Sequence, residues 1–406
     1  IDPEELIVGN RSAGVRAGVV SPEAGISWVD EEIEGLATRP QDKFQVRPED
    51  MAAEVIKGAA ARAGVAPADV ADVVMGCAFP EGPQGMNVAR ISVARAGFPD
   101  AVSAMTLNRL CSSGLEAIAV AATKIHAGLF DIAIAGGVES MSMVPLGGAG
   151  FSPNPTLTRD HPEVYTGMGL CGDHVARDFG ITRQQMDEWA LRSHQRAIAA
   201  VRGGAFRAEV VPLEVPTPKG TITFDTDEGP RADTSLEALA KLRPAFTATP
   251  GQGFCTAGNS SQTSDGAAAV CLMSEKAVKE HGVTPLARLL SYAIAADAPA
   301  YLGPAQREAI RRACDLAGIK LDDLDLIENN EAFASQCLYV VREMGFDPDK
   351  VNVNGGAIAL GHPLGCTGAK LSVQIIHELK RRGGKYGLVT MCIGGGMGGA
   401  GVFEIC

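Results

Sequence analysis

Ala63-Gly64-Val65-Ala66-Pro67-Ala68-Asp69-Val70 recurs as Ala317-Gly318-Ile319-Lys320-Leu321-Asp322-Asp323-Leu324, with every matched position 254 residues further on. The resemblance extends beyond the turn. Met51, Ala52, Val55, Ile56, Ala59, Ala60 and Ala63 fall at helical spacing before the first copy, with Glu49 and Asp50 in the first turn. A helix over 305–317 precedes the second copy. Val70–Met75 reads as a strand after the first copy, and a strand follows the second. A repeat of this size is one supersecondary unit used twice, so the chain is expected to contain two related α/β halves.

Further strands and helices alternate along the first half. A helix is expected near Val88–Ala96, a β run over Ala101–Leu107, a helix from Leu115 to about Gly128, and a buried strand over Asp131–Gly137. Alternation of this kind predicts parallel strands joined by right-handed crossovers. The segment between the halves, residues 141–248, opens with Gly, Pro and Met. Helices are expected near Gly172–Phe179 and Thr182–Val201, then a Pro-rich run over Val211–Pro218 and an amphipathic stretch over Leu236–Leu242. It reads as a loop domain covering a site rather than as an independent domain. The division is therefore 1–140, continued by 249–280, then the cover at 141–248, then 281–406. Near the start, Leu6-Ile7-Val8-Gly9 is a candidate first strand, and Asp30-Glu31-Glu32 marks an exposed insertion.

The most reactive-looking stretch is Asn108-Arg109-Leu110-Cys111-Ser112-Ser113-Gly114-Leu115-Glu116-Ala117. Only Glu116 and Lys124 charge the helix that follows, so most of its circumference is expected to be buried. A cysteine at its mouth faces unpaired N–H groups and the positive end of the helix dipole, both of which favour thiolate. Read alone, Cys111 is equally well a small apolar core residue. Carrying the 254-residue offset forward places Cys111 opposite Gly365, at the start of a second buried helix running to about Leu379. Three further clusters stand out: Asn329-Asn330-Glu331-Ala332-Phe333-Ala334, Gly355 to Gly365 with His362 inside it, and Met391-Cys392-Ile393-Gly394-Gly395-Gly396-Met397-Gly398. His362 and Cys392 would each be ordinary core residues in isolation. Together with Cys111 they supply a nucleophile, a base and a second thiol.

Composition narrows the classes. The chain has 406 residues, 46% hydrophobic and 21% charged, with 48 glycines. That allows two or three domains and a large core. A net charge of -12 argues against general nucleic-acid binding, though not against an anionic ligand held by a few bases. The 10 cysteines include no C-x-x-C pair, which points to a reducing compartment and a cytoplasmic location. No apolar run reaches the roughly 18 residues of a membrane span. The N-terminus lacks a basic-then-apolar signal and begins without Met.

Five motifs in order resemble those of the thiolases, the acetyl-CoA C-acyltransferase family. They are Asn-Arg-x-Cys-x-Ser-Gly, Gly-Gly-x-Glu-Ser-Met-Ser, Asn-Glu-Ala-Phe-Ala, Gly-His-Pro-x-Gly-x-[Ser/Thr]-Gly and Cys-x-Gly-Gly-Gly-x-Gly. The match runs from about Arg47 to the C-terminus. Residues 1–46 depart from the family's short opening strand and Arg-Thr-Pro-x-Gly segment, of which Arg11-Ser12-Ala13 is a candidate remnant. The resemblance implies two duplicated βαβ-type halves in a layered α-β-α-β-α arrangement with an inserted loop domain.

The resemblance also implies roles. Cys111 would be the acylated nucleophile, His362 would take its proton, and Cys392 would be the acid/base thiol. The enolate oxygen would be held by His362 and a water fixed by Asn330. The tetrahedral oxyanion would be held by the N–H groups of Cys111 and Gly394. Ser261 would bind the pantetheine of coenzyme A, Met168 and Phe246 would line its tunnel, and Arg231 would pack on the adenine. Gly167 stands where some members carry His. Coenzyme A is implied as co-substrate, with no metal and no permanently bound cofactor. The implied partners are acyl-CoA, CoA, further copies in a dimer or tetramer, and a multienzyme complex of fatty-acid oxidation.

Within the family, Cys111-Ser112-Ser113-Gly114 and the cover segments Phe151–Pro155 and Pro162–Tyr165 look more like the degradative members, which cleave 3-ketoacyl-CoA. The alternative is the biosynthetic class, which condenses two acetyl-CoA. A ketoacyl synthase would carry Cys-His-His, and Cys392 at the third position argues against it. An inactive scaffold on the same fold should have lost a motif residue, and none is lost.

Overall fold

The computed structural model describes residues 7–8, 46–217, 219–247 and 252–406. Asp30-Glu31-Glu32 and Arg11-Ser12-Ala13 lie outside them. The strands in chain order are β1 Ile7–Val8, β2 Asp72–Gly76, β3 Ser103–Leu107, β4 Ile132–Ser140, β5 Leu213–Thr217, β6 Gly220–Phe224, β7 Asp265–Met273, β8 Ala287–Ala296, β9 Leu326–Asn329, β10 Tyr386–Ile393 and β11 Met397–Ile405.

The 254-residue offset holds in the backbone. It carries the first residue of β2, Asp72, onto the first of β9, Leu326, and Ile132 of β4 onto Tyr386 of β10. Helix Pro48–Ala63 has helix Pro304–Ala317 as its counterpart, and both end on a left-handed glycine, Gly64 and Gly318. Helix Ser113–His126 corresponds to helix Leu364–Arg382. The repeat breaks at β3, where the offset leads to the four-residue helix Ala357–Leu360.

The strand order is β3-β2-β4-β7-β1-β8-β11-β10-β9, with β5 and β6 forming a separate hairpin. The alternation of elements predicted parallel pairing, and only part of the sheet follows it. β2 is parallel to β3 and β4, and β9 to β10. β7, β1, β8 and β11 pair antiparallel with their neighbours. β11 follows β10 through a three-residue turn, too short for a crossover. The Pro-rich run that reads as loop forms β5, an edge strand in which Pro216 leaves no central ladder to break.

Alternation along the strands builds five layers. Val73 and Met75 of β2 face a core with Met51, Val55 and Ile56 of helix Pro48–Ala63, whereas Val74 faces the middle of the molecule. On β10, Leu388 and Cys392 face helices Pro304–Ala317 and Ala334–Met344, and Val389, Met391 and Ile393 face the middle. The middle layer consists of the helices Ser113–His126 and Leu364–Arg382, both largely buried. Their crossing brings backbone against backbone. A Cβ on Gly114 would lie 2.6 Å from the Ala369 nitrogen, and one on Gly368 would lie 2.2 Å from the Leu115 nitrogen. These two glycines are themselves related by the 254-residue offset.

Replacing Gly368 by Ala is expected to force the central helices apart and to cost at least about 2 kcal/mol, as overpacking a rigid contact does. Gly150→Ala, at a position with open space around it, should stay within about 0.5 kcal/mol, as surface substitutions do. Denaturant unfolding of the two variants measures the difference.

Candidate active site

The chain enters the first central helix through a tight turn. Leu110 has a left-handed φ of 47° and Leu110–Ser112 form one 3-10 turn, so Cys111 projects just before helix Ser113–His126. Side chains hold the turn open. Asn108 Oδ1 accepts the Leu110 N–H at 2.7 Å, and Ser113 Oγ donates to the Leu110 carbonyl at 2.6 Å. Arg109 pairs with Glu116, which also accepts from the Tyr292 hydroxyl. Cys111 is buried at 7% exposure against Ala78 and Leu364.

Two backbone N–H groups reach the thiol, its own and that of Gly394, and both stabilise its charged form. Burial outweighs them, and Glu139 adds repulsion, so the thiol is pushed up to about 12. The backbone N–H groups favour thiolate, as the sequence leads one to expect, but desolvation exceeds their contribution. Cys392 is wholly buried on β10 and is also raised well above the usual thiol range, first by desolvation and then by its proximity to Cys111.

His362 precedes the second central helix. Its backbone N–H donates to Ser264 Oγ at 2.9 Å. Its ring lies 2.6 Å from Thr367 Oγ1 through Nδ1 and 3.2 Å from Asn330 Nδ2 through Nε2. The tautomer follows from proton counting. Thr367 Oγ1 spends its one proton on the Pro363 carbonyl at 3.0 Å, so Nδ1 must donate to it. Nε2 is then the bare nitrogen, and it accepts from the Asn330 amide. Burial, with Lys370 nearby, pushes the imidazole down to about 3, so it is neutral. Asn330 Oδ1 is buried with no protein partner among the described residues.

Cys111, Cys392, Gly394, His362 and Asn330 thus meet at one place. Cys111 and Cys392 sense each other, Gly394 touches Cys111, Asn330 touches His362, and Leu364, two residues past His362, packs on Cys111. A further group adjoins them. A Cβ on Gly394 would contact Leu110 and the sulfur of Met168. Phe246 lies over Gly169 and meets Phe333 edge-on at 5.7 Å, and the Ser261 N–H donates to the Ala332 carbonyl. Arg231 stands apart. Its backbone N–H donates to His194 Nδ1, while its half-exposed guanidinium faces Asp233 at 3.6 Å.

Sequence reasoning assigned no role to two buried carboxylates. Glu139 accepts from the N–H groups of Ala78 at 2.7 Å, Phe79 at 3.2 Å and Gly365 at 2.8 Å, and from Gln84 Nε2 at 2.7 Å. Glu331 accepts from Trp189 Nε1, Ser193 Oγ, Asn352 Nδ2 and the Ile358 N–H. It thereby fastens the cover helix Arg183–Gly203 to the strand end that bears Asn330. Both lie inside the five motifs, as does Thr367. Their motif positions were the available signal, but which groups they touch depends on tertiary structure.

Alkylation of Cys111 in the free protein is expected to be slow at neutral pH and to climb as pH rises. The slope should approach about tenfold per unit, because the reactive thiolate is a small fraction below about 12. Iodoacetamide labelling followed by peptide mass spectrometry between pH 6 and 9 tests this; a rate independent of pH would show a preformed thiolate.

A family model described as thiolase, N-terminal domain, matches residues 41–276, and one described as thiolase, C-terminal domain, matches 283–405. A third, pyruvate formate lyase-like, matches residues 1–66 and overlaps the first. The chain is 51% identical over 371 residues to a 3-ketoacyl-CoA thiolase of Bacillus subtilis, covering 89% of this chain and 94% of the relative. It is 45% identical over 364 residues to an acetyl-CoA acetyltransferase of Pseudomonas aeruginosa, covering 86% and 91%. The crystal structure of human mitochondrial 3-ketoacyl-CoA thiolase matches with a TM-score of 0.86 and 36% identity, over 100% of both chains. The chain belongs to the thiolase family of acyltransferases.

Proposed function

We propose that the chain cleaves 3-ketoacyl-CoA with coenzyme A, giving acetyl-CoA and a shortened acyl-CoA through an acyl-enzyme on Cys111. The observation that carries this reading is the arrangement around the thiol: a neutral imidazole whose Nε2 is bare, a second buried thiol, and two N–H groups directed at Cys111.

Cys111 Sγ attacks the 3-keto carbon as His362 Nε2 takes the thiol proton. The oxyanion that forms is held by the N–H groups of Cys111 and Gly394; one such donor is typically worth about 3–4 kcal/mol. The C2–C3 bond then breaks, and its electrons pass to the acetyl-CoA enolate. His362, now carrying a proton on Nε2, donates to the enolate oxygen. The unpartnered Asn330 Oδ1 suits the water expected beside it, since a buried acceptor is costly unless satisfied. Cys392 protonates the enolate carbon, and acetyl-CoA leaves. The Cys392 thiolate takes the proton of incoming CoA, whose sulfur attacks the acyl carbon. His362 returns its proton to Cys111 as the shortened acyl-CoA departs. Met168, Phe246 and Ser261 form the side from which pantetheine approaches, and Arg231 sits on the cover where the nucleotide end would reach. In this reading residues 141–248 act as the cover, and no permanently bound cofactor is required.

Among relatives, the name 3-ketoacyl-CoA thiolase occurs at 51% identity and acetyl-CoA acetyltransferase at 44–46%. The biosynthetic reading, condensing two acetyl-CoA, uses the same residues in reverse. The degradative reading is favoured by the segment between Met141 and Met168, whose only Lys or Arg is Arg159. Several of its apolar side chains are exposed, Phe151 at 66% among them.

Incubation with an acyl-CoA is expected to place the acyl group on Cys111, as read by peptide mass spectrometry, and Cys392→Ser should retain that acylation while losing most turnover. Label on another cysteine, or full thiolysis by Cys392→Ser, overturns the assignment. Thiolysis kcat/KM is expected to rise from four-carbon to eight-carbon substrates, because each buried CH₂ contributes up to about 0.8 kcal/mol. A rate highest with acetoacetyl-CoA and falling with length would favour the biosynthetic reading.

A further inference from the structure

Cys111 has two differently lined flanks. On one, Leu110 and Met168 border Gly394, with Phe246 and Phe333 beyond. On the other, Cys111 shares a small buried cluster with Ala78 and Leu364, against which the part-buried Phe79 and Met141 pack, together with Leu110, which borders both flanks. Pantetheine entering along the Met168 side leaves the Phe79 side for whatever else the acyl carbon carries. A group bonded to Cys111 Sγ must run along or displace the side chains already packed there.

Phe79 lies on a strap, residues 77–85, that is unusually well held. Glu139 accepts the N–H groups of both Ala78 and Phe79. Gln84 Nε2 donates to the Phe79 carbonyl at 2.8 Å and to Glu139, and its Oε1 accepts from the Ser140 N–H. Asn108, three residues before the nucleophile, donates to the Ala78 carbonyl at 2.8 Å. The strap also grips the cover, since Glu81 accepts the Ala149 N–H at 2.7 Å. The bare Gly148 makes room there, as a Cβ on it would lie 2.4 Å from Glu81 Oε1. An aromatic ring on a backbone fixed this way is a rigid wall, whereas the cover opposite presents Met141, a side chain that adapts.

We propose that Phe79 is the specificity-determining residue for the acyl group carried by Cys111, with Glu139 as the residue that positions it. The ring closes the acyl side of the site at a set depth, and Met141 gives way to fill what remains. This rests on the acyl-enzyme reading above and adds a residue to which no catalytic or coenzyme-binding role is given.

The test compares the unmodified protein with Phe79→Leu, Phe79→Ala and Phe79→Trp in thiolysis of four-carbon and eight-carbon 3-ketoacyl-CoA, with acylation of Cys111 followed by mass spectrometry in each. Phe79→Ala is expected to raise the eight-carbon to four-carbon ratio of kcat/KM roughly tenfold and Phe79→Trp to lower it comparably, as small volume changes in an apolar pocket do. Phe79→Leu should shift the ratio in the direction of Ala by less, and it keeps the series decisive where the Ala variant does not fold. A ratio that stays within about twofold across variants that still acylate Cys111 overturns the proposal and leaves the acyl-enzyme intact. Absence of acyl label on Cys111 in the unmodified protein overturns both.

Discussion

The contact of Gly114 with the backbone of helix Leu364–Arg382, and of Gly368 with that of helix Ser113–His126, sets the geometry on which the rest depends. Two helices that touch through bare backbone cannot slide or rotate without collision. Their starts are therefore held side by side, one carrying Cys111 and the other following His362. On one side the strands pack onto this pair through small residues, Ala133 and Ala135 of β4 and Ala268 of β7, which lets the layers approach closely. Glu139 completes the junction by joining the Gly365 N–H to the strap beside Cys111. Exposed ion pairs contribute little beside such contacts.

Burial gives this site its chemical character. It drives the Cys111 thiol up and the His362 imidazole down, so the resting pair is neutral. In the proposed reaction, charge separation is deferred until a substrate carbonyl is present to receive the thiol's electrons beside the N–H groups of Cys111 and Gly394. A neutral thiol is also slow to oxidise or to react with stray electrophiles. The hydrogen-bond chain Pro363–Thr367–His362–Asn330 keeps the base in one tautomer without an acidic partner.

Much of the architecture is legible because the duplication is written in the sequence at constant offset, and because burial on both sides makes long apolar runs of β4, β7 and β10. The offset alone locates the second central helix, and the motifs locate Cys111, His362, Cys392, Asn330 and Gly394. What cannot be read is what depends on partners far along the chain. The antiparallel strands β7 and β11 are buried on both faces like the parallel ones, so periodicity does not separate them. For Cys111 the helix end is local and visible in the sequence, whereas the desolvation that outweighs it comes from Ala78 and Leu364, brought in from elsewhere. Glu139 and Glu331 read as ordinary charges until their buried partners are seen.

The unequal use of the two halves has a consequence for how such a site can arise. The position matching Cys111 in the second half is Gly365, and no side chain fits there, since a Cβ would come within 2.7 Å of both the Cys77 Cα and the Val138 oxygen. Conversely, the first-half positions matching His362, Cys392 and Asn330 are Asn108, Val138 and Gly76, none of which can relay a proton. In the proposed reaction neither half carries the full set of groups, so the two copies of the repeat work as one site and not as two.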